Sequence, residues 1–310
     1  MNWKLTLVAA VCLPLVAPAG GAEKHAATKP AATAPAGIVA TVGTDPITRK
    51  QVEVPLRGAP PNLPPEQLEQ ARQKVLGGLI ATRLMHAYVV AQKVACDPNA
   101  LAGLKAKLAT AATERKMTPQ QLMDRAGLTE EVLKDQIRLQ TLIQNVASKD
   151  KANAFIQAHP DCFNGTKVQA SHILIACKPT AATSEQKAAV AKLQAIAGQI
   201  AGGKTTFEAA AMKHSACQGS KNKGGDLGEF DFASMVPPFS MKAFSMKVGE
   251  TSGVVRTQFG FHLIKTTKRT PGTSPAGADA SKVAQRILMA GLQNRIFDQA
   301  LTTCPIVIHK

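Results

Sequence analysis

The sequence predicts an α+β fold in which a small antiparallel sheet, covered by helices, is inserted into a mainly helical domain. Apolar residues recur at spacings of three and four over residues 66–147, which is typical of amphipathic helices. Near Val168 the pattern changes to short strands with Gly-rich turns, and a last helical pattern follows over residues 281–301. Because one amphipathic helix cannot bury its apolar stripe alone, we expect residues 281–310 to pack back on the N-terminal helices.

Composition agrees with an ordinary globular protein of about two domains. The 310 residues are 45% hydrophobic and 19% charged, with a formal net charge of +16. The Lys and Arg residues are scattered and follow no zinc-finger or RNP-like pattern, so we expect no nucleic-acid partner. A basic surface of this kind favours acidic partners or weak proximity to a membrane surface instead.

The N-terminus has the features of an export signal. An apolar stretch from Leu5 to Val16 follows Lys4 and is too short to span a bilayer. Small residues come next, so residues 1–22 are predicted to be a signal peptide cleaved after Ala19 or Ala22. Residues 23–37 are rich in Ala, Thr, Pro and Lys and are predicted to be a flexible linker.

Residues 38–160 are predicted to form the mainly helical domain. A strand, a turn and a short helix come first, and a Pro-rich loop precedes a long helix over residues 66–93. Thr118 and Thr129 are suited to cap later helices, the last of which is expected to continue towards Ala158. Helices are predicted over residues 66–93, 99–116, 118–127 and 129–158.

The middle segment, residues 167–268, is predicted to contain its own sheet. Strands alternate with helices in the order β-α-α-β-α-β-β, which is typical of a small α+β unit. The first strand is VQASHILI and the last is FHLIKTTK, and the Gly-rich loop HSACQGSKNKGGDLGEF lies between them.

Five cysteines follow the signal segment, so at least one thiol stays unpaired in an oxidising compartment. The pairing stays open at this point, and Cys162 with Cys304 is the favoured candidate because the adjoining helix ends are expected to meet. The five are Cys96, Cys162, Cys177, Cys217 and Cys304.

The middle segment closely resembles the parvulin, or PpiC-type, family of peptidyl-prolyl cis/trans isomerases. The matching strings are ASHILI, HSACQGSKNKGGDLGEF, MVPPF, AFSMKVGE and FGFHLIK, in the family's order. The helical frame and the IVATVGTDPIT start resemble exported chaperones of the SurA and PrsA type. The resemblance implies a periplasmic isomerase and foldase that acts on unfolded or partly folded exported polypeptides with X–Pro bonds, with no cofactor or metal.

The resemblance also implies site residues. It places Leu227, Met235 and Phe239 in the pocket for the proline ring, although each is also consistent with plain core packing. It assigns His172 and His262 to a polar catalytic cluster, where their role can equally be structural. Cys217 is expected near the substrate carbonyl, as a charged group, an inert small residue or half of a disulfide.

Two departures from the family bear on specificity. Phe259 replaces a Ser or Thr, so we expect a hydrogen bond of the family to be missing at this turn. The stretch Ile175–Thr180 has Lys178 as its single basic residue, whereas phosphate-directed parvulins have a basic cluster there. We therefore expect unmodified substrates.

Other functions are weaker readings of the same residues. A metal site would need His172, Cys177, His214, Cys217 or His262, but no paired Cys-x-x-Cys motif is present. A Cys217–His262 hydrolase lacks a nucleophile motif, and GGDLGE leads into a strand and is no phosphate-binding loop. The remaining alternative is a non-catalytic periplasmic chaperone that keeps the parvulin fold for client binding only.

Overall fold

The computed structural model describes residues 37–58, 64–126 and 128–309. The predicted signal peptide, nearly all of the predicted linker, and Gly127, the expected end of a helix, lie outside these residues. The described chain forms two compact units: unit 1 contains residues 37–141 and 302–309, and unit 2 contains residues 142–301. Within the described part of the chain, no helix is both long enough and apolar enough to cross a membrane.

Unit 1 combines a small sheet with helices. Its sheet has the order β2-β1-β7, and both pairings are antiparallel. The C-terminal strand β7 therefore completes a sheet begun at the first described residues. The elements are β1 Ile38–Val42, β2 Asp45–Thr48, α1 Arg49–Glu53, α2 Pro65–Ala91, α3 Pro98–Glu114, α4 Pro119–Ala126, the start of α5 Glu130–Ala147, and β7 Ile306–Ile308.

Unit 2 contains a four-stranded antiparallel sheet of order β4-β3-β6-β5 with helices around it. The α+β prediction is thus confirmed. The elements are the end of α5, α6 Lys149–Ala158, β3 Lys167–Ala176, α7 Thr183–Ala201, α8 Phe207–His214, α9 Gln218–Lys221, β4 Asp226–Asp231, α10 Pro237–Ser245, β5 Val255–Thr257, β6 Gly260–Thr270 and α11 Ala280–Thr302, of which Thr302 lies in unit 1.

Alternating side chains give the sheet of unit 2 two apolar faces. Val168 and Ile264 belong to a core with four phenylalanines of β4, α10 and the turn between them; we call this the histidine-side core. Ile173 and Leu263 belong to a second core with α7 and α8, the helix-side core. Buried apolar groups on both faces fix the strand register, because a shift by one residue would exchange the two faces.

Local chemistry corrects two predicted elements. The helix expected from Thr129 to Ala158 breaks at Ser148, whose hydroxyl accepts from the Lys151 N–H and caps a new helix. The Gly-rich loop contains a short helix, α9, that the sequence analysis did not predict. The break at Ser148 depends on a side-chain hydrogen bond, and α9 depends on a backbone hydrogen bond from the Lys221 N–H to the Cys217 carbonyl. Apolar periodicity reveals neither.

The two units divide the chain differently from the expected domains. We expected residues 281–310 to belong with the N-terminal helices, whereas only residues from 302 onwards belong to unit 1. Helix α11 up to residue 301 belongs to unit 2, as do residues 142–160. The reason is apolar burial: Ile287 and Phe155 pack in the histidine-side core, and Leu301 packs against the helix-side core.

The five cysteines of the described residues are free thiols, so the Cys162–Cys304 disulfide considered above is not formed. Cys162 packs against the histidine-side core, and burial raises its pKa to about 12. Cys304 is buried, and its Sγ lies close to Gly43 in the turn between β1 and β2. Each thiol is therefore held by its own unit as a small apolar group.

Candidate functional site

Two buried histidines face each other in unit 2. His172 lies on β3 and His262 on the neighbouring β6, and both point to the face of the histidine-side core. Their Nδ1 atoms are 3.2 Å apart, and the rings are stacked with centroids 5.4 Å apart. The two residues are 6% and 3% exposed. The structure thus brings together the two histidines that the sequence placed in one cluster.

Hydroxyl groups bind the outer nitrogens of the pair. Ser220 Oγ lies 3.0 Å from His172 Nε2, and Thr257 Oγ1 lies 2.8 Å from His262 Nε2. The Phe259 N–H donates to the same Thr257 oxygen. All four ring nitrogens therefore have partners, which offsets the cost of burying them.

The pair is electrically neutral at physiological pH. Burial lowers the pKa of His172 to about 4. Burial, with a smaller effect from His172, lowers the pKa of His262 to about 3. A neutral imidazole has one donor and one acceptor nitrogen, so only one of the facing Nδ1 atoms carries a hydrogen. The hydrogen bonds from Ser220 through the two rings to Thr257 can therefore all point towards Thr257 or all point towards Ser220. We call these the two proton orders of the line.

Phe239 closes the apolar side of the pair. It lies on α10, is 3% exposed, and meets both imidazoles edge-on, at centroid distances of 5.7 Å and 5.6 Å. Helix α10 begins with Pro237 and Pro238, where proline's fixed φ favours a helix start. Leu227 and Met235 are partly buried against the same core. The three residues expected to line a proline pocket therefore share one apolar cluster.

Cys217 lies in a loop that is fastened to β3. The Ser215 hydroxyl accepts from the N–H groups of Leu174 and Cys217, and the Ala216 N–H donates to the Leu174 carbonyl. Leu174 is paired with His262 in the sheet. The Cys217 side chain is half-buried, and its thiol has no hydrogen-bond partner among the described residues. The loop thus fixes the backbone of Cys217, while its sulfur makes no hydrogen bond to the described residues.

The loop returns to β3 through Gly225. The His172 N–H donates to the Gly225 carbonyl at 2.9 Å. Gly225 has a φ of +85°, and a Cβ there would collide with the His172 backbone. The contact therefore requires glycine, and it holds Ser220 over the His172 ring.

The hydrogen bond that we expected to be lost at Phe259 is supplied to His262 by another residue of the same turn. Thr257 supplies a hydroxyl to His262 from two residues earlier in the same hairpin. The sequence analysis missed both Thr257 and Ser220. Thr257 lies five residues before His262, which was the available signal, whereas Ser220 lies 48 residues after His172. Only the fold of the Gly-rich loop brings Ser220 to the ring nitrogen.

One group of side chains elsewhere has the composition of a metal site. In the part of the chain that the structure describes, only His86, Glu131 and Asp135 bring three ligand atoms within 4.8 Å of one another. Arg138 Nη1 already lies 2.7 Å from Glu131 and 2.8 Å from Asp135. The Arg138 guanidinium pairs with both carboxylates, and Lys134 Nζ lies 3.5 Å from Glu131, so these oxygens already have cationic partners.

Comparison with known proteins places this site in a family. The model of the rotamase family, described as PPIC-type PPIASE domain, matches residues 172–268. The chain is 37% identical over 116 residues to peptidyl-prolyl cis-trans isomerase Pin1 of Malus domestica, which covers 33% of this chain and 95% of the relative. The segment matched by the family model thus includes both histidines, the Gly-rich loop and α10.

Two longer relatives match over a larger part of this chain. It is 39% identical over 140 residues to chaperone SurA of Salmonella typhimurium, covering 44% of this chain and 30% of the relative. It is 33% identical over 144 residues to foldase protein PrsA of Caldanaerobacter subterraneus, covering 44% and 42%. The matched region therefore spans less than half of either relative.

Proposed function

This chain belongs to the PPIC-type peptidyl-prolyl isomerase family, and from that premise we propose that it catalyses the cis/trans isomerisation of X–Pro bonds in unfolded or partly folded exported polypeptides. Rotation about this bond has a barrier of roughly 18–20 kcal/mol, because resonance gives the C–N bond partial double-bond character. No covalent bond of the substrate has to break. The enzyme has only to bind the twisted amide better than either planar form.

The neutral histidine pair with Phe239 edge-on to both rings is the observation that carries this proposal. A twisted amide is less conjugated, so its nitrogen is more basic and its carbonyl less polar than in the planar form. A dry site with no full charge favours that form over the planar one, which water solvates better. We assign Phe239, Met235 and Leu227 to the proline ring.

The polar residues have distinct proposed roles. His172 and His262 keep the pocket rigid and present a fixed pattern of donors and acceptors, without transferring a proton to the substrate. Cys217 lies beside the substrate carbonyl, where a partial negative charge on sulfur opposes the resonance form with a negative oxygen. The uncommitted Cys217 thiol on a fastened loop supports this role.

Isomerisation of a short Ala-Pro peptide, measured by NMR exchange, tests the proposal. We expect the full chain to accelerate exchange, and His262→Ala and Phe239→Ala each to lower kcat/KM by about tenfold or more. Met212→Ala is the matched control, since Met212 is an exposed apolar residue of the same unit. A folded chain that does not accelerate exchange but still prevents aggregation of a client would contradict the isomerase function. It would favour the alternative of a non-catalytic chaperone.

The chaperone function and the compartment are part of the same proposal. The relatives named chaperone SurA and foldase PrsA match this chain beyond the 172–268 segment. The apolar stretch Leu5–Val16, followed by small residues, supports export to the periplasm. Cell fractionation with a C-terminal tag tests the location, and a shortened mature N-terminus by mass spectrometry tests the cleavage.

A further inference from the structure

Strand β5 carries Thr257 but is a weak element by itself. It contains only Val255–Thr257, lies at the edge of the sheet and pairs with β6 alone. Its last residue nevertheless places a hydroxyl 2.8 Å from His262 Nε2. A three-residue edge strand has few backbone hydrogen bonds, so contacts outside the ladder must hold it in place.

Arg256 supplies those contacts. It is 9% exposed, and its Nε forms an ion pair of 2.7 Å with Asp298 Oδ1 on α11. Its Nη2 donates to Gln186 Oε1 on α7 at 2.8 Å, and its guanidinium lies 4.8 Å from the centroid of the Phe261 ring. Successive residues of a strand point to opposite faces, so Arg256 is held on one face while Thr257 reaches His262 on the other.

The partners of Arg256 are themselves fixed. Gln186 is fully buried, and its amide donates to the carbonyls of Pro179 and Ala181 in the loop after β3. Asn294 of α11 donates to the Arg256 carbonyl at 3.3 Å, which covers the open edge of β5. Arg256 therefore connects the edge strand with α7, α11 and the loop that follows the first histidine strand.

Polar contacts add to the apolar packing of β5. Val255 packs against the histidine-side core, whereas Arg256 and Asp298 line an open cleft of about 570 Å³ together with residues of α7, α10 and α11. The ion pair, the Gln186 hydrogen bond and the Asn294 hydrogen bond are therefore the polar links between β5 and the helices α7 and α11.

We propose that Arg256, held by Asp298 and Gln186, is a positioning residue that sets Thr257 against His262 and so fixes the orientation of the histidine pair. This inference rests on the proposed isomerase function. Asp298 is the residue to change, because its side chain is 54% exposed and its removal leaves no large hole. When Asp298 is lost, Arg256 keeps Gln186, Phe261 and the Asn294 hydrogen bond to its carbonyl, but its guanidinium is no longer paired with α11.

The test compares Asp298→Ala with Asp161→Ala in the full chain. Asp161 is a matched control in the same unit, since it pairs with Arg269 at 2.6 Å and its side chain is 53% exposed. The readouts are the ring ¹⁵N chemical shifts of His262 in ¹⁵N-histidine-labelled protein, and kcat and KM on an Ala-Pro peptide. Asp298→Asn keeps an acceptor oxygen and is the conservative variant.

We expect Asp298→Ala to shift the His262 ring signals and to lower kcat about threefold to tenfold, with little change in KM. Asp298→Asn should recover part of the loss, and Asp161→Ala should change neither readout. The inference is overturned if Asp298→Ala leaves both readouts as in the wild type, or if Asp161→Ala moves them equally. If the wild type does not isomerise the peptide, the proposed function fails, and the His262 signals still decide the positioning role.

Discussion

His172 and His262 use every ring nitrogen in a hydrogen bond, although both are almost fully buried. Leaving one such nitrogen unsatisfied would cost about 1–3 kcal/mol. Protonating either ring would place a charge in an apolar core beside Phe239, which explains the lowered pKa values. The pair is thus stable only as two neutral imidazoles.

Neutral burial makes the folded state sensitive to acid. An unfolded chain binds protons at these histidines below pH 6.5, whereas the folded chain does so only near pH 4 for His172 and pH 3 for His262. Stability is therefore unaffected above pH 6.5 and falls from there downwards. We expect His172 alone to account for a loss of roughly 3 kcal/mol in the free energy of unfolding by pH 4.

Urea unfolding of the wild type and His172→Asn at several pH values between 7 and 4 measures this loss. The free energy of unfolding should fall less steeply with decreasing pH in the variant. Burial and nearby lysines also lower the pKa of the half-buried His214, so His214→Gln should flatten the slope as well, but less than His172→Asn does. Equal slopes for the wild type and His172→Asn would show that His172 is protonated in the folded state.

The two histidines were predictable from the resemblance to the family, because each lies inside an apolar strand at one of the family's two histidine positions. Their partners were not, since Ser220 and Thr257 are common hydroxyl residues of a loop and a short strand. The contact of Gly225 with β3 places Ser220 at His172, and the register of β5 on β6 places Thr257 at His262. Neither contact can be derived from the sequence pattern. The roles of Cys217, Leu227 and Met235 stay predictions.

Among the elements, the loop between α8 and β4 matters most to the site because it holds Ser220 at His172. Gly225 at the end of this loop and Gly228 within β4 both have positive φ, at +85° and +69°. They differ in surroundings: a Cβ at Gly225 would collide with the His172 backbone, while a Cβ at Gly228 would meet nothing within 4 Å. Alanine at Gly228 therefore measures the cost of a left-handed backbone alone, whereas alanine at Gly225 adds the cost of the collision with β3.

We expect Gly228→Ala to destabilise the protein by about 1–2 kcal/mol, the cost of a left-handed conformation. Gly225→Ala has the same cost and must also move the loop away from β3, so it should lose at least about 2 kcal/mol more and most of its isomerase activity. Urea unfolding and the Ala-Pro assay measure both effects. Similar losses for the two variants would mean that the loop adapts without disturbing His172.

The loop after β3 bears on substrate choice. It contains Lys178 as its single basic residue, and Gln186 holds its carbonyls from inside. One ammonium group is a poor substitute for an arginine fork in phosphate recognition. We therefore expect a phosphoserine-Pro peptide to react no faster than Glu-Pro or Ala-Pro, with Lys178→Ala changing none of the ratios. A tenfold preference for phosphate in the wild type would refute this.

Helices and strands followed the apolar patterns closely, from α2 to β7. The differences are local hydrogen-bonding events: the Ser148 cap that divides one predicted helix, and the short α9 in the Gly-rich loop. Periodicity reports which face of an element is buried. It does not report where a side chain caps a helix, as at Ser148, or where the backbone forms a single helical turn, as in α9.

At the scale of the whole molecule, unit 2 extends beyond the segment that the family model matches. Residues 142–158 and α11 contribute Phe155 and Ile287 to the histidine-side core. Thr183 donates to the Ala300 carbonyl at 2.7 Å, which fastens α7 to the same helix. The expected insert, 167–268, lacks all of these contacts.

We therefore expect the fragment 142–301 to be more stable than the fragment 167–268 by about 2 kcal/mol or more, because each buried apolar side chain contributes roughly 1.5–3 kcal/mol. Both should isomerise a short peptide, and neither should prevent aggregation of a denatured client as well as the full chain does. Urea midpoints, peptide exchange and light scattering measure the three properties. Equal midpoints would mean that α11 adds no stability to the sheet.

The line of hydrogen bonds from Ser220 through both histidines to Thr257 also behaves as an electric dipole. Its two proton orders have opposite polarity, and exchanging them moves hydrogens while the heavy atoms and the net charge stay unchanged. Hydrogen bonds in such a chain polarise one another, so the line is most stable when all of its members point the same way. The two orders therefore present opposite dipoles, and each order favours one orientation of a carbonyl group brought alongside.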